Sequence, residues 1–284
     1  MPAKLTASLR YSNTRFLQWK PISILCLMST VLISMALNKS VYLTSQKDIF
    51  SLSNSALQIM PSEFWNNVTY MGDALILIPL LSFICLINTR MWAAMFGAVP
   101  LAFSLSHLGK NFFAIPRPAA VLEHQNMTII GDTLTAFTSF PSGHTITIFT
   151  AMSAIVFVGI KETTFSKQLK SGLLITFILI ATLVGVSRVA VGAHWPADIL
   201  IGAIIGIIAG LSGEYLSREY SMWWHSKNEN RAYLGYFVLF FSFILLACVV
   251  SGKYPELVII WTAIMVSALV GTYITLKALL KNES

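Results

Sequence analysis

Eight apolar runs punctuate this 284-residue chain, at roughly 21–38, 71–88, 91–108, 144–160, 172–188, 197–213, 233–250 and 256–276. Each is about 17–21 residues long, close to the ~20 that a helix needs to cross the hydrocarbon core of a bilayer. Backbone polar groups in lipid must be satisfied internally, which such runs do by forming helices. The expected fold is therefore all-α: a polytopic membrane helical bundle of about eight transmembrane helices. Composition points the same way. Apolar residues make up 56% and charged residues 11% of the chain, against about 25% charged in soluble proteins, and the mean hydropathy is +0.72. Disorder, a collagenous fibre and a disulfide-stapled secreted module are excluded. The three cysteines, Cys26, Cys85 and Cys248, sit inside apolar stretches without metal-ligand spacing and read as small core or lipid-facing residues.

Lys and Arg number 19 against 12 Asp and Glu, a net charge of +7. The cations are scattered between apolar runs, which fits loops facing anionic lipid and not a nucleic-acid partner. With the N-terminus inside, thirteen cations fall on the cytoplasmic side and six, namely Lys39, Lys47, Lys110, Arg117, Arg188 and Lys253, on the other. The positive-inside rule thus gives cytoplasmic N- and C-termini and an even number of spans. The first run, with Lys4, Arg10, Arg15 and Lys20 before it, is long for a signal-peptide core and is expected to be a retained helix.

Trp19, Trp65, Tyr70, Trp92, Trp223 and Trp224 lie at run ends, where interfacial belts account for them. Asp73 and Glu63 are most simply interfacial. Segment 39–70 carries Ile49, Phe50, Leu52, Leu57, Ile59 and Met60 among polar residues and is expected to lie on the membrane surface as an amphipathic helix. Residues 1–284 read as one integral membrane domain.

Polar groups at membrane depth are costly and mark function, and here they concentrate in three places. Lys110 and Arg117-Pro118 end the third run; Arg offers phosphate a planar fork and Lys a mobile point charge, although the pair alone also fits cations snorkelling at a helix end. Pro141-Ser142-Gly143-His144 opens the fourth run. Ser142 suits a helix N-cap, Gly143 permits close approach of a backbone N–H, and the helix start attracts an anion. His144 there can move a proton; an ordinary cap with an incidental histidine fits equally. Ser187-Arg188 closes the fifth run, and His194 precedes Pro196 and Asp198. Proline suits the first helical turn, and a carboxylate near a histidine can fix its tautomer and raise its nucleophilicity. Together the clusters put three cations, two histidines and one carboxylate on one side of the membrane, a pocket for phosphate with a nucleophile and a proton donor.

At these residues the sequence resembles the type 2 phosphatidic acid phosphatase family, whose superfamily includes bacterial lipid phosphatases, glucose-6-phosphatase and the vanadium haloperoxidases. Lys110 with Arg117-Pro118, Pro141 to His144, and Ser187-Arg188 with His194 and Asp198 match its three-part signature at every position. The likeness covers about residues 105–200. The helix pair at 233–276 exceeds the six-helix phosphatase core that it implies.

The resemblance implies that His194 attacks phosphorus to form a phosphohistidine and that Asp198 holds its imidazole. It implies that His144 protonates the leaving oxygen and then activates water. Lys110, Arg117 and Arg188 would bind the phosphate oxygens, with Ser142 and the Gly143 N–H completing the cradle. Such chemistry needs mainly positioning and charge stabilisation. No cofactor and no metal is expected. The loop 119–140 can cover the pocket and help choose substrate, although Glu123, His124 and Asp132, each taken singly, read more simply as incidental charges on a solvated loop.

The leading expectation is a lipid phosphatase at the outer leaflet of a bacterial inner membrane, acting on undecaprenyl diphosphate or else on phosphatidylglycerol phosphate, phosphatidic acid or a lipid A phosphate. A lipid-to-lipid phosphotransferase shares the motifs. A transporter or structural subunit is the non-enzymatic alternative, for which broken helices or paired repeats would speak; a haloperoxidase does not suit a multi-span chain.

Overall fold

The structure, a computed structural model, describes residues 23, 26–123, 127–220 and 231–282. Lys4, Arg10, Arg15, Lys20, Trp19, His124, Trp223 and Trp224 lie outside the described residues. Those described form helices and turns with no strand among them. Among the described residues six helices are long and apolar enough to cross a membrane, or up to eight if each of two bent pairs counts as one span. The protein is a multi-pass helical membrane protein.

The chain divides into two compact units, Met1–Ser45 and Gln46–Ser284. The first contains α1 (Cys26–Leu37) and the start of α2 (Lys39–Leu57). Asn38 caps α2, its Oδ1 accepting from Ser40 Oγ at 2.8 Å and Val41 N at 3.3 Å.

The second unit continues with α3 (Ser62–Tyr70), α4 (Ala74–Leu80), α5 (Ile84–Ile87), α6 (Thr89–Phe113), α7 (Gly143–Lys161), α8 (Lys167–Ala190), α9 (Pro196–Glu219), α10 (Arg231–Val250) and α11 (Val258–Asn282). The run at 71–88 is not one straight span. Asp73 starts a new helix by accepting from Leu75 N at 2.8 Å. Pro79 inside α4 supplies no N–H to the ladder, which disfavours continuation. At the break before Asp73, Ser62–Tyr70 and Ala74–Ile87 meet at an 80° bend.

Helix α7 packs against α6, α8 and α9, and α9 comes so close because it places glycine every fourth residue. A Cβ on Gly206 would stand 2.5 Å from Phe149 Cβ and 2.9 Å from Ile146 O, the small-residue packing that brings helix backbones together in lipid. Trp65 and Trp92 are buried in the core, which corrects their expected place in an interfacial belt: the Trp65 indole donates to Leu57 O at 2.7 Å, and Trp92 packs edge-on to Phe96. Leu174, Ile175, Ile178 and Leu179 of α8 are exposed, as suits a face turned to lipid.

At the end of the bundle away from the motifs, buried Glu214 of α9 takes Arg90 of α6 at 2.9 Å and Lys161 of α7 at 2.5 Å. A carboxylate at such depth requires paired charge, and this pairing ties three helices together. Helices α10 and α11 pack on each other and on α3 and α4.

Candidate active site

The end of α6 carries Lys110. Ala114 closes the helix in the left-handed region, φ 43°, its N–H bonding to Lys110 O. The following segment is tied down by Arg117 N to Ala136 O at 3.3 Å and Ser139 N to Ile115 O at 3.0 Å. The loop after it therefore runs back along the Arg117 strand of chain. Arg117 Nη1 donates to Ala193 O at 3.1 Å and lies 3.4 Å from His194 Nε2.

Helix α8 ends in a tight reversal. The N–H groups of Ala193 and His194 both bond to Arg188 O, at 3.0 and 3.2 Å. Gly192 has φ +78°, and a Cβ there would stand 2.8 Å from Thr128 O; only glycine suits both demands. Helix α9 then begins at Pro196. The Asp198 Oδ2 atom accepts from Trp195 N at 2.9 Å and from Ser139 Oγ at 2.5 Å, and stands 3.1 Å from His194 Nδ1. A carboxylate only accepts, so Nδ1 carries the hydrogen and Nε2 presents its lone pair toward Arg117.

Sequence reasoning missed the support for this reversal. Residues 46, 50, 54 and 58 fall on one face of α2 and its C-terminal turn. Gln46 Oε1 accepts from Ala197 N at 2.9 Å. Phe50 packs edge-on to Trp195. Buried Asn54 donates from Nδ2 to Val189 O at 2.9 Å and Ala190 O at 3.2 Å, and Gln58 donates to Ala190 O at 3.0 Å. This part of segment 39–70 is thus two-faced: one side is a buried partner of the motif loop, while Ile49, Leu52 and Ile59 on the other are exposed. The every-fourth-residue spacing of Gln46, Phe50, Asn54 and Gln58 was the available signal.

Helix α7 begins at Gly143 with Ser142 as its N-cap. Ser142 Oγ accepts from Thr145 Oγ1 at 2.9 Å, and Ser142 N bonds to Asp198 O at 3.1 Å. A Cβ on Gly143 would stand 3.0 Å from Lys110 Nζ, so the missing side chain leaves room for the ammonium beside the helix start. His144 packs on Gly72, where a Cβ would be 2.7 Å from His144 Cβ. Its electrostatic surroundings are Arg188, His194, Lys110 and Arg117.

Arg188 is buried; Nη1 donates to Thr69 Oγ1, while Nε has no hydrogen-bond partner among the described residues. Burial first, then the charges of Arg117, Arg188 and Lys110, push the His194 imidazole well below its ordinary pKa, against a raising effect of the Ser139 backbone carbonyl, which favours the protonated ring. The structure thus brings all eight motif residues to the same end of the bundle. The arrangement offers an anion three cations and a helix start, with a neutral imidazole beside them. Of the loop residues, Glu123 and Asp132 are exposed, whereas Ser139 reaches the centre. Among the described residues no group of three or more His, Cys, Asp or Glu side chains is arranged to hold a metal ion.

Comparison with known proteins adds the following. A lipid A 1-phosphatase of Porphyromonas gingivalis is 32% identical over 84 residues, which is 29% of this chain and 17% of that protein. The chain therefore spans less than a fifth of that relative's length. The crystal structure of Aquifex aeolicus LpxE is 30% identical, covering 61% of this chain and 94% of that one, with a TM-score of 0.47. A transmembrane PAP2 type phosphatidylglycerolphosphate phosphatase from Bacillus subtilis shares the fold at a TM-score of 0.50 and 19% identity, over 72% of this chain and 99% of that one. The family model of the PAP2 superfamily matches residues 91–228. That stretch carries the whole three-part pattern from Lys110 to Asp198, and the chain belongs to the PAP2 superfamily.

Proposed function

We propose that the protein is a membrane lipid phosphatase that removes phosphate through a phosphohistidine on His194. One observation carries the lipid reading. An apolar cavity of about 230 Å³ between α4, α6 and α7, lined by Leu77, Ile78, Phe96, Val99 and Ile146, extends to Ser106 and Gly143. Gly143 is the residue against which Lys110 Nζ rests. A hydrocarbon tail in the cavity delivers its phosphate to the cations.

In this mechanism Lys110, Arg117 and Arg188 take the phosphate oxygens, and the unpartnered Arg188 Nε is free to donate to one of them. The Ser142 hydroxyl and Gly143 N–H complete the cradle. The His194 Nε2 lone pair forms a bond to phosphorus as the bond from phosphorus to the leaving oxygen breaks, and His144 gives that oxygen a proton. Asp198 balances the charge that develops on His194. His144 then takes a proton from water, whose oxygen attacks phosphorus and releases His194 and inorganic phosphate.

The bias of cations to one side supports a site facing the outer leaflet, and the short loops and compact layout suit a bacterial inner membrane. Undecaprenyl diphosphate, phosphatidylglycerol phosphate, phosphatidic acid and lipid A phosphate are the substrates to compare, with undecaprenyl diphosphate first because an outward site suits recycling of a lipid carrier. The test is phosphate release from these four lipids by the detergent-purified protein, with His194→Ala as control. The expected result is rapid release from one of them and none from the variant. Phosphate passing between two lipids without release would replace hydrolysis by transfer.

A further inference from the structure

We infer that the C-terminal helix pair has a task in the active site: the α10–α11 loop braces the α3–α4 corner, with Tyr254 as a positioning residue for Arg188 and His144. This rests on the phosphate-binding reading above.

The corner, Thr69 to Asp73, is a chain of tight turns, with Gly72 N bonding to Thr69 O and Asp73 N to Tyr70 O, both at 3.1 Å. One side of it meets the site. Thr69 Oγ1 accepts from Arg188 Nη1, and Gly72 is the surface on which the His144 side chain rests. The other side meets the C-terminal pair. The Tyr254 hydroxyl donates to Asp73 Oδ2 at 2.9 Å, and its ring packs edge-on to Tyr70. Ile259 N, at the start of α11, donates to Asn67 Oδ1 at 3.1 Å. Asp73 cannot shift without loosening either the start of α4 or the Tyr254 bond, because its two oxygens serve one each. Burial first, and then the Asp73 carboxylate, push the Tyr254 phenol above its ordinary pKa, which keeps it a donor.

The Arg188 guanidinium has no carboxylate within ion-pair distance among the described residues. Thr69 is the side chain that fixes its direction, and Thr69 is held by a corner that α10 and α11 hold in turn. Two helices that bring no motif residue thereby set where the phosphate oxygens are met.

The test is the dissociation constant of inorganic phosphate, by calorimetry on the full chain in detergent, for wild type, Tyr254→Phe, Thr69→Val and the double variant, beside lipid hydrolysis and thermal unfolding. Losing one hydrogen bond in the brace is expected to weaken phosphate about three- to tenfold in Tyr254→Phe. In the Thr69→Val background the same change is expected to weaken it no further, because the link to Arg188 is already cut. Unchanged phosphate affinity in Tyr254→Phe, or an equal loss in both backgrounds, overturns the brace. Wild type that binds phosphate but hydrolyses no lipid overturns the phosphatase reading alone; wild type that binds no phosphate overturns both.

Discussion

Ser139 and Asp198, 59 residues apart in sequence, meet with the Ser139 hydroxyl donating to Asp198 Oδ2 at 2.5 Å. The same oxygen receives Trp195 N and faces His194 Nδ1. Three donors on one carboxylate oxygen fix the His194 ring with its lone pair toward Arg117. Asp198→Asn is expected to lower kcat by roughly 10²–10⁴, since an amide cannot hold the tautomer or balance the imidazolium. Ser139→Ala removes one donor and is expected to cost about three- to tenfold. Steady-state phosphate release measures both; an Asp198→Asn protein with near wild-type kcat would remove the carboxylate from the mechanism.

The depressed pKa of His194 sets the direction of the pH profile. Its value in the protein lies below the ordinary ~6.5, so the imidazole stays neutral and nucleophilic as pH falls through that value. The acid limb of kcat/KM is therefore expected below pH ~6.5. Arg117→Gln removes a neighbouring cation and is expected to move that limb to higher pH while lowering the rate. A wild-type limb above ~6.5 would mean that the Asp198 charge outweighs burial and the three cations.

Arg117→Lys keeps the charge but loses the fork that bonds to Ala193 O and reaches His194 Nε2. A charge-assisted hydrogen bond contributes ~1.5–3 kcal/mol, so kcat/KM is expected to fall about ten- to hundredfold. Retention of activity within a factor of two would argue that a point charge suffices.

Asn54→Ala strips donors from the carbonyls of Val189, Ala190 and Thr128. Gly192 N and Gln58 still serve Val189 O and Ala190 O, so the cost is that of the lost hydrogen bonds, about 0.5–1.5 kcal/mol each. Thermal unfolding in detergent should occur at lower temperature, together with reduced turnover because the reversal before His194 loosens. A variant that keeps its stability would show the α2 contacts to be dispensable.

Three cations can neutralise the transferring phosphoryl group without a bound ion. Phosphate release is accordingly expected to proceed undiminished in EDTA. Loss of activity in the chelator, restored by one added divalent ion, would assign the metal a role that the side chains do not fill.

What could be read from the sequence was local. The apolar runs fix the helices because each helix satisfies its own backbone in lipid, and Pro196 with Asp198 announced the start of α9 within a few residues. The three motif stretches named the polar centre because charge at membrane depth stands out in any window. Tertiary structure decided the rest. Trp65 and Trp92 went to the core, and the 71–88 run became part of a bent pair. Thr69 meets Arg188 across 119 residues, and Tyr254 meets Asp73 across 181. No short-range period encodes such pairs. A lone threonine or tyrosine gains its meaning only from what packing brings opposite it, so the polar motif groups were legible in the chain, and the groups packed around them were settled by the fold.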